Sequence, residues 1–277
     1  MSYSRKILQV LLMALPLHGI SAKTAYMVLQ NGRSLPASAL AMEADKLVVK
    51  TAAEGYTLGQ SFPLTMVDHI YGDKPVEINQ AIALTLMGKP KEAQALLLPI
   101  VKEHHITAKF PGNFWLDAAR ALLVAYAING NTDDTTKIGE EISDATPAHG
   151  IDSYVLLGKA LTMPALTSKS EDRLAALRAL TTQNLPDLCA YASFFYGNML
   201  FKDKKSTEAL EAYLAVPCLH PSGGLILNAA AELQAADLLA ALGRPEEALA
   251  LVESALSVSA GTVLADEASK RLTSLKK

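Results

Sequence analysis

The chain has 277 residues, with 25 basic and 28 acidic side chains and a formal net charge of −3. Half of the residues are hydrophobic and 19% are charged, which excludes a disordered chain. The mildly acidic balance leaves no electrostatic footprint for nucleic acid. No apolar run reaches the roughly 20 residues of a membrane span, which excludes a multi-pass membrane protein, and two cysteines exclude a disulfide-dense mini-scaffold.

The first 22 residues read as an address. Arg5 and Lys6 form a basic start, Ile7 to Leu17 is apolar, and Gly19-Ile20-Ser21-Ala22 offers small residues for cleavage after Ala22 or Ser21. The pattern resembles a bacterial export signal. It implies a periplasmic or secreted protein, with no integral span once the signal is removed; the alternative is an uncleaved single anchor, for which the stretch is short. Loss of Arg5 and Lys6 from 25 basic residues leaves 23 against 28 acids, a net of −5 and a soluble surface.

From Lys23 to Gly72 the apolar period is two. The pattern predicts strands at Tyr26 to Gln30, Arg33 to Met42, Lys46 to Thr51, Tyr56 to Phe62 and Met66 to Ile70. Asn31-Gly32 is a two-residue hairpin signal, and Pro36 puts the second strand at an edge or bulge. About 50 residues of short strands leave sheet edges that closure into a small five-stranded barrel would remove. The strand order, with a short final Val67 to Ile70 element, resembles the Sm-like and SH3-like barrels. Their RNA binding is not carried over, because no basic patch with interleaved aromatics accompanies the strands.

After Gly72, alanine and leucine dominate and apolar spacing shifts to three and four. Gly88-Lys89-Pro90-Lys91-Glu92-Ala93 and Gly243-Arg244-Pro245-Glu246-Glu247-Ala248 are near copies between apolar runs. Each reads as helix, tight turn, helix: glycine ends one helix, proline opens the next, and glutamate complements its dipole. A third copy runs through Lys204-Lys205-Ser206-Thr207-Glu208-Ala209. Two looser ones begin at Asn129-Gly130-Asn131 and at Ser168-Lys169-Ser170. These turns resemble the tetratricopeptide repeat. Anchors at 93, 135, 174, 209 and 248 give spacings of 42, 39, 35 and 39, longer than the repeat's roughly 34.

The alignment gives Gly197 the small position of a first helix and Tyr213 the bulky position of the second, and makes Thr262 to Leu275 a terminal helix. Lys270, Arg271, Lys276 and Lys277 would cap the stack. The fold class expected is mainly α: a solenoid of about five tetratricopeptide-like hairpins over 73–277, preceded by the barrel at 23–72. A stack of this kind shares one continuous core and leaves a concave inner wall suited to a protein or peptide.

On that alignment, Tyr191, Phe194, Asn198, Phe201 and Lys202 fall on the inner wall, with Asp117, Arg120 and Lys159 as further polar contacts; the alternative for the aromatics is ordinary core. Cys189 and Cys218 open and close one hairpin. The alternatives for them are a disulfide closing a loop of about 30 residues, worth roughly 3–4 kcal/mol, or two free thiols.

Signals for chemistry are sparse. His104 and His105 are neighbours, and so diverge on a helix rather than sharing a metal. His69, His149 and His220 have no partner at ligand spacing, and Asp133 with Asp134 reads as a helix start. No phosphate-cradling loop, nucleophile elbow or zinc-protease motif occurs, so no catalytic, cofactor or metal residue is assigned. The expected function is a non-catalytic interaction scaffold of the bacterial envelope. The alternatives are glycan or peptidoglycan binding by the aromatic groove and, third, a hydrolase accessory using His104 or His105.

Overall fold

The computed structural model describes residues 25–146, 150–163 and 170–276. The proposed export signal, His149, Ser168-Lys169 and Lys277 lie outside these residues. Six strands come first: β1 (Tyr26–Leu29), β2 (Ser34–Pro36), β3 (Leu40–Glu43), β4 (Lys46–Val49), β5 (Ser61–Pro63) and β6 (Val67–Tyr71). They form two antiparallel sheets, in the orders β2-β1-β6 and β3-β4-β5. The closed five-stranded barrel expected from the sequence is therefore replaced by two open sheets.

The chemistry of Pro36 accounts for the difference. The proline has no N–H for a ladder, and β2 stops there; a 3₁₀ turn over Ala37–Ala39 then carries the chain into the second sheet. One predicted strand thus becomes two. The Asn31-Gly32 hairpin does form, with Met27 opposite Leu35 and the Leu29 N–H donating to the Arg33 carbonyl. Inward residues of both sheets, including Met27, Leu35, Leu47, Val49, Phe62 and Ile70, share one core. Phe110, from the helical part, completes that core, and the Ile70 N–H donates to the Pro111 carbonyl. The β part is thereby docked on the helical part.

Eleven helices follow among the described residues. They are α1 (Val76–Leu86), α2 (Pro90–His104), α3 (Trp115–Asn129), α4 (Thr132–Ala145), α5 (Ser153–Thr162), α6 (Ser170–Leu180), α7 (Pro186–Lys202), α8 (Ser206–Leu219), α9 (Leu225–Ala241), α10 (Pro245–Val258) and α11 (Val263–Leu275). The chain is thus mainly helical, with a small antiparallel β part.

Four of the helix–helix turns are built alike. In each, a residue just past the helix takes a positive φ: Gly88 (75°), Gly130 (80°), Lys204 (59°) and Gly243 (76°). The next N–H then reaches back to a carbonyl inside the finished helix: Lys89 to Leu84, Asn131 to Tyr126, Lys205 to Leu200 and Arg244 to Leu239, at 2.8–3.0 Å. This satisfies carbonyls that a helix end otherwise leaves open. At two of the turns proline starts the next helix, where its missing N–H costs nothing.

The odd-numbered helices pack in sequence, α1 on α3, α3 on α5, α5 on α7 and α7 on α9. The even-numbered helices each pack on the two odd ones beside them, on the outside. The array does not stay open: α1 also packs against α9 and α11. The Val263 N–H at the start of α11 donates to Gln80 Oε1 on α1 at 2.9 Å. Arg271 on α11 forms a two-pronged pair with Asp237 on α9, at 2.8 Å for each prong. The inner helices therefore form a closed ring, and the open concave wall expected of a solenoid is absent from these residues. The cause lies in residues 183 positions apart in sequence.

Candidate functional site

Closure leaves a pocket of about 390 Å³ at one end of the ring. Its lining is drawn from the starts of the inner helices: Lys74 and Asn79 around α1, Asp117 and Arg120 on α3, Tyr154 on α5, Asp187 and Tyr191 on α7, and Leu225 and Ile226 on α9. Val258 at the end of α10 and Ala260 just beyond it also line it. A smaller apolar void lies deeper, between Ile82, Leu86, Val124 and Tyr191. The ring axis is thus packed below and open above. Side chains have room at the opening because the chain enters α9 through two glycines. A Cβ on Gly223 would lie 2.4 Å from the Ala190 Cβ on α7, so only glycine allows α9 to start that close to α7.

Two ion pairs order the lining. Arg120 donates through Nε (3.1 Å) and Nη2 (2.5 Å) to one oxygen of Asp152. The other oxygen of Asp152 accepts from the Tyr154 N–H at 2.9 Å and caps α5, as an aspartate at this position does. The Asp152 side chain is 4% exposed. Lys74 pairs with Asp117 at 2.5 Å. Arg120 also lies 5.3 Å from the centroid of the Tyr154 ring. Asp187, exposed in the first turn of α7, stands outside both pairs. The Tyr154 and Tyr191 rings meet edge to face at 5.3 Å. Burial pushes the Tyr154 phenol up to about 12, with Arg120 opposing and Asp187 and Asp117 adding to the rise. Burial likewise holds the Tyr191 phenol well above its ordinary value. Both therefore remain neutral hydroxyls across the physiological range.

Of the eight residues expected on an inner wall, the structure gathers three, Asp117, Arg120 and Tyr191, at this pocket. The other five lie elsewhere. Phe194 is fully buried, against Phe195 and Tyr213; it packs the core and presents no aromatic face. Asn198 accepts a hydrogen bond from the Tyr213 hydroxyl at 2.8 Å, holding α7 to α8. Phe201 and Lys202 are exposed near the far end of α7, about 21 Å along the helix from Asp187 at 1.5 Å per residue. Lys159 borders a separate cavity of about 350 Å³ between α4 and α5. The reason is the same for Phe194 and Asn198. Helix α7 packs against α5, α6, α8 and α9, so it has no free face over most of its length.

Of the two alternatives for Cys189 and Cys218, the structure has the unbridged one. Both thiols are free. Cys189 is buried at the start of α7, with its Sγ 3.0 Å from the Gln183 carbonyl, whereas Cys218 is exposed at the end of α8. Of the histidine pair, His104 is buried edge-on to Phe114 and His105 meets the edge of Trp115, so the two rings diverge as neighbours on a helix do. Among the described residues no cluster of His, Cys, Asp and Glu has metal-binding geometry.

Sequence reasoning missed Lys74, Asp152, Tyr154 and Asp187. Each lies at or just before a helix start. An aspartate before Ser153-Tyr154 and a Pro186-Asp187 pair are ordinary start signals, and nothing local says that these starts share one end of a ring. No family model matches the chain, and no curated protein is significantly similar to it.

Proposed function

We propose that this chain is a non-catalytic binding protein that takes the end of a protein or peptide into the pocket of its helix ring. The observation that carries this reading is the convergence of helix starts on one opening, where acids, cations, tyrosine hydroxyls and aliphatic groups all line about 390 Å³. That volume falls in the range of ligand sites, roughly 300–1,000 Å³. It suits a few residues rather than a long extended segment. The four like-built turns support a repeat of the tetratricopeptide kind, here with its first helices drawn into a circle. The basic, apolar and small-residue order of residues 1–22 supports export to the bacterial envelope. A glycan reading needs an open aromatic platform, and the α7 aromatics Phe194 and Phe195 are core.

A photo-crosslinking amino acid placed at Asn79, which lines the pocket and is exposed, tests the reading in envelope extract. Polypeptide adducts are expected from position 79 and not from position 159 or 201. Equal adducts from all three positions, or adducts to glycan alone, refute it.

A further inference from the structure

The rim of the pocket carries a feature that its interior does not explain. Large aliphatic side chains are exposed at the starts of four inner helices: Val76 (64%), Ile151 (62%), Leu185 (43%) and Leu225 (64%). Val76 opens α1 two residues after Lys74; Ile151 precedes Asp152; Leu185 stands two residues before Asp187; Leu225 opens α9 and lines the pocket. All four therefore sit on the end face into which the pocket opens. A helix start is commonly polar, because its free N–H groups need acceptors. Exposed aliphatics at four such starts place apolar side chains around the rim, where a partner's residues could cover them.

The interior supplies the second half. Lys74 and Arg120 are each engaged by an acid, Asp117 and Asp152. Asp187 is the exposed charge outside those pairs, and both Asp187 and Asp117 act electrostatically on the two tyrosine hydroxyls. For a cation the pocket thus offers the Asp187 carboxylate and the Asp117 oxygen that Lys74 leaves open. Beside them lie charged N–H donors on Lys74 and Arg120, and aliphatic walls at Ile82, Ile226 and Val258. A lysine side chain would use the acids and give the N–H groups that Lys74 and Arg120 have left beyond those pairs no acceptor. The first residue of a polypeptide brings an ammonium, a carbonyl oxygen and a side chain within a few ångströms of one another, which matches all three parts of the lining. A free amino acid would leave the rim uncovered.

We infer that the pocket receives the free amino terminus of a partner polypeptide, with Asp187 and Asp117 as counter-charges to its ammonium and Val76, Ile151, Leu185 and Leu225 seating the residues behind it. This rests on the peptide-binding reading above and adds which end is held.

The test uses the chain immobilised intact and three octapeptide pools with an aliphatic first residue and an amidated carboxyl end. One pool has a free amino terminus and no lysine, the second is the same pool acetylated, and the third is acetylated with one lysine. The free-amine pool is expected to be retained at least about tenfold more than the acetylated one, the worth of one charged hydrogen bond. Its retention should fall between pH 7 and 9, as an α-amine with a pKa of roughly 7.7–8.0 loses its charge. D187N is expected to remove most of that preference, and L225S, at an exposed rim position, to weaken retention of the free-amine pool. K159A should change neither. Equal retention of free and acetylated pools overturns the amino-terminus assignment while leaving peptide binding standing. Retention of the lysine pool, persisting to about pH 10, replaces it with a side-chain site. Retention of no pool overturns both readings.

Discussion

Arg120 and Asp152 make the sharpest test of how the pocket is held. The carboxylate of Asp152 is 4% exposed, and its two oxygens are divided between Arg120 and the Tyr154 N–H. Removing the guanidinium in R120M leaves a buried charge with only the backbone bond. Breaking a buried pair from one side costs about 3–5 kcal/mol. The low end applies here, because Arg120 is itself 30% exposed and the cap bond survives. A loss of about 3 kcal/mol lowers Tm by roughly 6–12 °C at 2–4 °C per kcal/mol. D152N is expected to cost only about 1 kcal/mol, since asparagine caps as well as aspartate and can still accept from Arg120. The combination distinguishes this account from a simple sum. In R120M/D152N no charge is left stranded, so the double variant should be more stable than R120M alone, a coupling of opposite sign to additive losses. Urea denaturation followed by far-UV circular dichroism measures all four corners of the cycle. If R120M costs less than about 0.5 kcal/mol, the scale of an ordinary surface change, or if the two losses add, the pair does not hold the pocket as described.

The remaining predictions concern packing, backbone, thiols and protonation. A Cβ on Gly197 would lie 2.8–2.9 Å from two ring carbons of the buried Tyr213; G197A is therefore expected to destabilise by about 1–2 kcal/mol despite alanine's better helix propensity, and Y213L in the same chain should relieve the clash. Calorimetry reads both, and a stabilised G197A would show that α7 and α8 do not touch there. Lys204 holds a positive φ of 59° that glycine holds freely, so K204G should raise stability by about 1 kcal/mol in a denaturant titration; no gain refutes the turn geometry. Thiol titration should count two thiols in the unreduced, denatured chain, and in the native chain Cys218 should react fast and Cys189 slowly; a count of zero restores the bridge. Burial lowers the His104 pKa from its ordinary 6.5, partly opposed by Glu103. The neutral form is favoured by folding, so this contribution is complete above about pH 6.5 and is lost as pH falls through the lower folded value. H104F should flatten that part of the Tm profile, and an unchanged slope would refute the assignment.

What the sequence made legible was local. Gly88-Lys89-Pro90 and Gly243-Arg244-Pro245 specify their turns through positive φ and a missing N–H, both properties of the residues themselves. Period-two and period-three-to-four spacing located the change from strand to helix, which the structure puts between Tyr71 and Val76. The β topology was harder to read, because Pro36 allows both an edge strand and a break, and local pattern does not choose between them. Of the two readings of the aromatic stripe on α7, inner wall or core, local pattern could not choose either. A repeat alignment assigns one free face to each inner helix, but α7 packs against four helices, and Phe194 goes to α8.

Ring closure is the step no local pattern carries, and it reshapes the function. An open array of hairpins would offer a wall along which an extended peptide lies. Once Gln80 meets Val263 and Arg271 clasps Asp237, the inner faces turn toward one another and bury most of what they present, including Tyr191 and Val124. The helix starts at one end stay open around the pocket. Residues chosen there for ordinary reasons, aspartates against helix dipoles and cations to neutralise them, are brought around one opening and become a site. The same closure explains why Asp117 and Arg120 belong to that opening and Lys159 does not: the first two lie in the opening turns of α3, whereas Lys159 lies in the second half of α5, past the pocket's floor.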